Sequence, residues 1–205
     1  MWYIDLMVLV QHLYLQFVFT DYLSNVSSQW EAEIGKGKSV QWPTGIGSPG
    51  SEGVSSSIVS TLNSIGYIEL AYAMTTDLDF ASVQNNEGNF IKPSLNSTAA
   101  VISSSTTGLP DGIGSWKDVS VVNAHGSDSY SIASFTYLLL FKELGTNPSI
   151  DETKAKALVD FISWAITDGQ KFASGLEYVT LPDEVVKLNQ EILKSLIFKG
   201  NPILQ

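Results

Sequence analysis

The pattern of this chain changes near Phe17, and that change limits what it can fold into. Downstream, apolar residues recur at helical spacing in some stretches and run continuously in others. Glycine, proline and asparagine clusters separate the stretches, the signature of an α/β protein. Upstream, residues 1–16 (MWYIDLMVLVQHLYLQ) are apolar but follow neither period. A signal peptide needs a basic start and a small-residue cleavage site, and this segment has neither. A membrane span does not suit it either, because Asp5, Gln11 and His12 interrupt it. The segment reads as an apolar appendage or a helix improvised on an exposed face.

A chain of 205 residues with 44% hydrophobic content can bury a real core in one or two domains. Its net charge of −10 excludes the basic footprint that nucleic acid requires and opposes an anionic membrane surface. It does not exclude a small anion, which backbone N–H groups at a helix start can hold. The absence of cysteine removes disulfide and thiol chemistry and leaves the compartment undecided.

Thr20-Asp21 predict the start of a helix running toward Ile34, stopped by Gly35 and Gly37. Residues 39–42 read as a short extended piece, and residues 45–53 as a glycine-rich loop leading into a helix at Ser51-Glu52. That helix is expected to end near Ser64-Ile65-Gly66 and to bury Val54, Ile58, Val59 and Leu62. Residues 67–71 read as a strand. Segments 80–84 and 89–92 flank the turn cluster Asn85-Asn86-Glu87-Gly88, which predicts a hairpin. Residues 94–104 read as a helix, followed by a surface loop to Gly114. The run 132–141 predicts a buried strand. Ser149 and Glu152 suggest a capping box before a helix burying Leu158, Phe161, Ile162 and Ala165, with Gly169 or Gly175 ending the region. Pro182-Asp183 begins a last helix with Val185, Ile192, Leu193 and Leu196 inward.

Several strings stand in a fixed order along the chain: FTDYLS at 19–24, SVQWP at 39–43, GIGSPGSEGV at 45–54, IGYIELAYA at 65–73, GNFIKPS at 88–94, SFTYLLL at 134–140, FISWAITDGQ at 161–170 and LEYVTLPDEVV at 176–186. Together they resemble the phosphate-binding receptors of the bacterial and archaeal high-affinity phosphate ABC importer. The resemblance implies a two-lobed α/β clamshell, a periplasmic binding protein of type II-like fold, here in partial form. Residues 1–16 would be an anomalous, out-of-frame segment. Residues 17–128 would form the later half of lobe two, 129–143 the crossing strand and hinge, and 144–205 the C-terminal helices of lobe one. At the crossing the family has an aromatic followed by proline, where this chain has Tyr130-Ser131.

In the family, a segment reading like H-R-S-D-G-S-G-T-T precedes FTDYLS and grips the anion. Its arginine donates a bidentate pair, and hydroxyl and N–H groups add donors at a helix start. Residues 1–16 replace it. Back-translated with permitted codons and read two nucleotides later, the first residues give V-V-H-R-S-D-G-S-G-T-T. With such codons the string TTTGTATTTACAG falls twice in tandem, from the last base of the His12 codon to the first base of the Asp21 codon, and its length is not a multiple of three. A frameshifting duplication is therefore expected. The nucleotide sequence checks it, since without the repeat the reading fails.

The resemblance implies inorganic phosphate and an ABC permease as ancestral partners, an extracytoplasmic family setting and no catalysis or cofactor. Without a recognised export signal, the chain is expected in the cytoplasm if expressed. It is also expected to bind phosphate weakly or not at all and to self-associate through exposed apolar faces. An alternative is a non-enzymatic interaction protein whose apolar N-terminal segment contacts a membrane or a partner. No phosphate-binding residue carries over from the family. Gly47, Ser48 and Ser51 remain loop candidates for an anion, although the loop lacks a P-loop ending and Glu52 would repel one. His125 with Asp128 and nearby serines invites a hydrolase reading, but no nucleophile elbow accompanies them. His12 and His125 are the only histidines, which leaves little for a zinc site. Asp77, Asp79, Glu87 and Asp118 follow no calcium-loop spacing and read as solvated surface.

Overall fold

A computed structural model describes residues 3–6, 13–105, 109–110, 114–117 and 119–204. His12, Asp118 and much of the 1–16 segment and of the loop before Gly114 lie outside the described residues. The elements are β1 (Tyr3–Leu6), α1 (Leu13–Val26), α2 (Ser28–Glu33), α3 (Gly50–Ser60), α4 (Leu70–Thr75), β2 (Val83–Gln84), β3 (Phe90–Ile91) and α5 (Leu95–Ser105). There follow β4 (Leu138–Phe141), α6 (Glu152–Ala165), α7 (Asp183–Lys194), β5 (Ile197–Phe198) and β6 (Asn201–Pro202), with 3-10 turns at Leu144–Thr146, Asp168–Phe172 and Ser174–Leu176. The described strands pair as three antiparallel two-stranded ladders, β1 with β4, β2 with β3 and β5 with β6. The chain is thus a mixture of helix and strand with small sheets. It divides into two compact units, a first of residues 11–104 and 121–134 and a second of residues 1–10, 105–120 and 135–205.

The second unit is built on α6 and α7. Helix α7 follows the sequence closely. Pro182 occupies its N-cap, and Val185, Ile192, Leu193 and, just beyond its end, Leu196 are fully buried. Each such aliphatic side chain contributes about 1.5–3 kcal/mol by leaving water. Helix α6 departs from expectation in two ways. Its N-cap is Asp151, whose carboxylate accepts the Lys154 N–H at 2.9 Å, whereas the Ser149 N–H is held by Asn147 Oδ1. An Asp immediately before the first turn reaches N3 as a cap should, and Ser149 is too far upstream. The buried stripe is Ala155, Val159, Ile162 and Ile166, at spacings of four, three and four, so Ile162 is inward as expected. Phe161 is 60% exposed, and Leu158 and Ala165 are only half-buried.

The strand expected over 132–141 contracts to Leu138–Phe141. The ladder ends where its partner ends, because β1 offers only Tyr3↔Phe141 through Leu6↔Leu138. Leu138 and Leu140 pack on the core and Leu139 faces out, the period-two consequence of one covered face. The β5–β6 turn places Lys199 and Gly200 at φ 49° and 79°, the positive values a two-residue hairpin prefers. Glu143 holds this turn, its two oxygens accepting the Lys199 and Gly200 N–H groups at 2.8 and 2.9 Å.

In the first unit, α1 already runs from Leu13, upstream of the expected start at Thr20-Asp21. The single helix expected to Ile34 is also interrupted, because Ser27 takes a β conformation and its hydroxyl accepts the Trp30 N–H, capping α2. Gly35 closes α2 at φ 72° as anticipated. Helix α3 stops at Ser60 and buries Ser51 and Ser55, leaving Val54 and Ile58 half-covered and Val59 and Leu62 exposed. The strand expected over 67–71 is instead an irregular segment followed by α4. A short apolar run fits strand or helix equally, and no described strand lies beside it. Residues 39–42 carry no ladder. The β2–β3 hairpin and α5 form where the sequence places them.

Candidate functional site

The FTDYLS string performs structural work residue by residue. The Phe19 ring stacks on Tyr67 at 4.4 Å and on Trp42 at 6.3 Å. Thr20 is fully buried. Its hydroxyl proton lies within reach of the Gln16, Phe17 and Gly37 carbonyls, and its oxygen accepts the Gly37 N–H at 3.1 Å. Asp21 is buried too, with Lys36 Nζ 2.8 Å from its carboxylate and Asn25 Nδ2 at 3.3 Å. The Tyr22 hydroxyl donates to the Gln84 carbonyl. Four consecutive residues therefore tie α1 to the chain after α2, to the segment at Tyr67 and to the hairpin.

The hairpin turn is organised by Asn85, which the sequence marked only as a turn residue. Its amide nitrogen donates toward the carbonyls of Gly126, Ser127 and Ser129 at 3.1, 3.1 and 3.3 Å. Its oxygen accepts the Glu87 and Asn89 N–H groups at 3.1 and 2.9 Å. Asn86 reaches the Asn123 carbonyl, and Glu87 accepts the Gly126 N–H. The 123–129 loop thus closes on the hairpin through side-chain amides. Burial pushes the nearby Tyr130 phenol up to about 12, with the neighbouring Tyr22 adding to it, so the phenol stays neutral.

The anion-loop candidates are not brought together into a receptacle. A side chain added at Gly47 would meet no atom within 4 Å, so the backbone there stands in open space. Ser48 Oγ is 2.7 Å from Ser57 Oγ. Ser51 is buried in α3, where its carbonyl accepts from the Ser55 hydroxyl. The only acid in the first turn of α3 is Glu52, whose negative charge opposes an anion at that helix start.

His125 is exposed. The contact it makes with a serine runs through its backbone carbonyl, which accepts from Ser129 Oγ at 2.9 Å. Among the described residues no imidazole–serine–carboxylate chain forms. Glu87 serves the 126 amide, and among the described residues no group of three or more His, Asp or Glu side chains gathers as a metal site. Among them, too, no helix is long and apolar enough to cross a membrane. An open depression of about 430 Å³ in the first unit is lined by Ile91, Lys92, Ser94, Asn96 and Asp128 among others; its carboxylate opposes an anion there.

No family model matches the chain. It is 39% identical over 171 residues to the phosphate-binding protein PstS of Pasteurella multocida, covering 83% of this chain and 47% of that protein. The PstS of Haemophilus influenzae is 40% identical over 170 residues, covering 83% and 48%. That of the archaeon Methanocaldococcus jannaschii is 35% identical over 181 residues, covering 83% and 46%. The chain spans about half the length of the curated relatives it matches. Over most of its length, then, this chain is a homologue of one portion of the phosphate-binding proteins PstS.

Proposed function

We propose that this chain descends from the phosphate-capturing receptor of an ABC phosphate importer, acts without catalysis, and has itself lost most phosphate affinity. Descent rests on the relatives, which are binding proteins by name. The loss rests on one observation. All eleven basic side chains are lysines, so the chain has no arginine to make the bidentate guanidinium grip that suits a phosphate. The residues before FTDYLS supply no serine, threonine or glycine donors in its place. In the whole receptor, the ligand would be inorganic phosphate, the partner a permease and the setting extracytoplasmic.

The domain assignment belongs to the same proposal. Residues 17–128 correspond to the later half of one lobe, 129–143 to the crossing and 144–205 to the C-terminal helices of the other. The grouping of residues 135–205 in one compact unit and of most of 17–128 in the other supports it. Isothermal titration of phosphate into the folded chain tests the functional reading. No detectable heat at millimolar phosphate is expected. Micromolar binding would overturn the loss and direct attention to the loop at Gly47, Ser48 and Ser51.

A further inference from the structure

The C-terminal end of α3 carries a surface unlike the rest of this acidic chain. Charged residues make up 16% of the sequence, yet the thirty residues from 39 to 68 hold one, Glu52. Within that span Val59, Leu62 and Ile65 are 69%, 90% and 93% exposed. The turn that presents them is ordered by its own hydrogen bonds. The Thr61 N–H donates to the Ile58 carbonyl and the Ser64 N–H to the Thr61 carbonyl, and the Ser64 hydroxyl donates to the Ile58 carbonyl. Asn63 takes the left-handed conformation at φ 59°, which asparagine tolerates. Gly66 then runs against α3, where an added Cβ would stand 2.8 Å from Ile58 and 3.0 Å from Val54. That contact covers Val54 and Ile58 and leaves Val59 outside it. Beside Val59, the Ser60 hydroxyl donates to the Ser56 and Ser57 carbonyls, so its burial leaves no donor unpaired.

We infer that this face, centred on Leu62, docks a second copy of the same chain in a two-fold symmetric dimer. The occupant follows from charge. At a net charge of −10 two copies repel over most of their surfaces, and the centres of protein interfaces are depleted of charge. The 39–68 span lets two copies approach without setting like charges together. A rival apolar group, Phe161, Trp164 and Phe172, sits in a segment with seven charged residues between 151 and 172. A two-fold axis sets each face against its own copy. Glu52 lies about 10 Å along the helix from Val59, at 1.5 Å per residue. In an antiparallel pair its two copies therefore lie at opposite ends, farther apart than the screening length of about 8 Å. The inference is independent of the proposed loss of phosphate affinity.

Sedimentation of the whole chain from about 1 to 300 µM tests it. A monomer–dimer equilibrium is expected, and it tightens as salt is raised, because salt screens the repulsion between two acidic copies. Leu62→Glu and Val59→Glu each weaken the dimer by about tenfold or more. Both positions are solvent-exposed in the single chain, so both variants keep its fold by circular dichroism. Phe161→Glu leaves the dimer unchanged. The inference falls if the chain stays monomeric over this range, or if its dimer tolerates Leu62→Glu or is broken by Phe161→Glu. It falls equally if the chain forms open-ended aggregates, or if it remains a monomer that binds neutral phosphatidylcholine vesicles through Leu62, which would make a membrane the occupant.

Discussion

Replacing Asn85 by Asp changes one NH₂ group to an oxygen and almost no volume, which isolates the role of the amide donor. In the native chain that nitrogen faces three carbonyl oxygens at 3.1, 3.1 and 3.3 Å, and the residue is 5% exposed. A carboxylate there keeps the bonds from the Glu87 and Asn89 N–H groups and turns the other three contacts into repulsions. Loss of the donor and the burial of an unmatched charge cost about 3 kcal/mol at pH 8. Asn85→Ala loses all five bonds but adds no charge, and costs about 2–3 kcal/mol. The pH dependence separates the two. The carboxyl that Asn85→Asp introduces has a folded pKa raised above its unfolded value of about 3.9. Its protonated form can donate to one carbonyl, so the stability that proton brings is complete below the unfolded pKa and is lost as pH rises through the folded one. Urea unfolding of the three proteins at pH 5 and pH 8 measures this. The Asp variant loses stability relative to wild type as pH rises, and the Ala variant keeps a constant deficit. An Asp variant within about 0.5 kcal/mol of wild type at pH 8, or one that gains stability with pH, would refute the reasoning.

Three further outcomes follow from particular contacts. Glu143 has its carboxyl held below the usual range by the Gly200, Lys199 and Gly145 N–H groups, so the β5–β6 turn is secured above the unfolded carboxylate pKa and loosens as pH falls through the depressed folded value; the protection of the Gly200 amide, relative to its intrinsic exchange rate at each pH, falls with that acid loosening, and Glu143→Gln removes the acid-dependent part of the protection. Ile192→Ala, at a fully buried position, costs about 3 kcal/mol in chemical denaturation. Phe161→Ala, where the ring touches Trp164 at the surface, stays within about 0.5 kcal/mol of wild type; a cost like that of Ile192→Ala would restore Phe161 to the core the sequence pattern assigned it.

Legibility followed how local the determining physics was. Helix α7 could be read because its start signal and its inward residues lie within a dozen positions of one another. The hairpin could be read for the same reason, since Asn-Asn-Glu-Gly states a turn on its own. The stretches 67–71 and 132–137 could not, because whether an apolar run becomes a strand depends on a neighbour elsewhere in the chain. Helix α3 misled for another reason, in that the Ser55 hydroxyl donates to the Ser51 carbonyl within the helix, and both serines are buried in place of Val59 and Leu62. The resemblance was legible from the strings, yet what the strings do was not. Thr20 reaches Gly37 and Asn85 reaches Ser129, and no spacing announces ties over 17 and 44 residues.

The same non-local view bears on the anion. A net charge of −10 does not by itself exclude phosphate, because N–H groups at helix starts can hold one without a cation. Here the starts of α3, α5, α6 and α7 are already occupied. Helix α3 carries Glu52 in its first turn, α6 has the Asp151 cap and Glu152, and α7 has Asp183 and Glu184. Helix α5 is closed by Ser94 and Ser97, each hydroxyl accepting the other's N–H. Several lysines are also engaged, Lys36 with Asp21, Lys156 with Glu152 and Lys194 with Glu191. Each acidic first turn lowers its own helix's electrostatic free energy and raises that of an incoming phosphate at the same point. The arrangement that stabilises these helices therefore also opposes an anion at those starts. That agrees with the proposed loss of phosphate affinity, since the residues before FTDYLS include no arginine, serine, threonine or glycine.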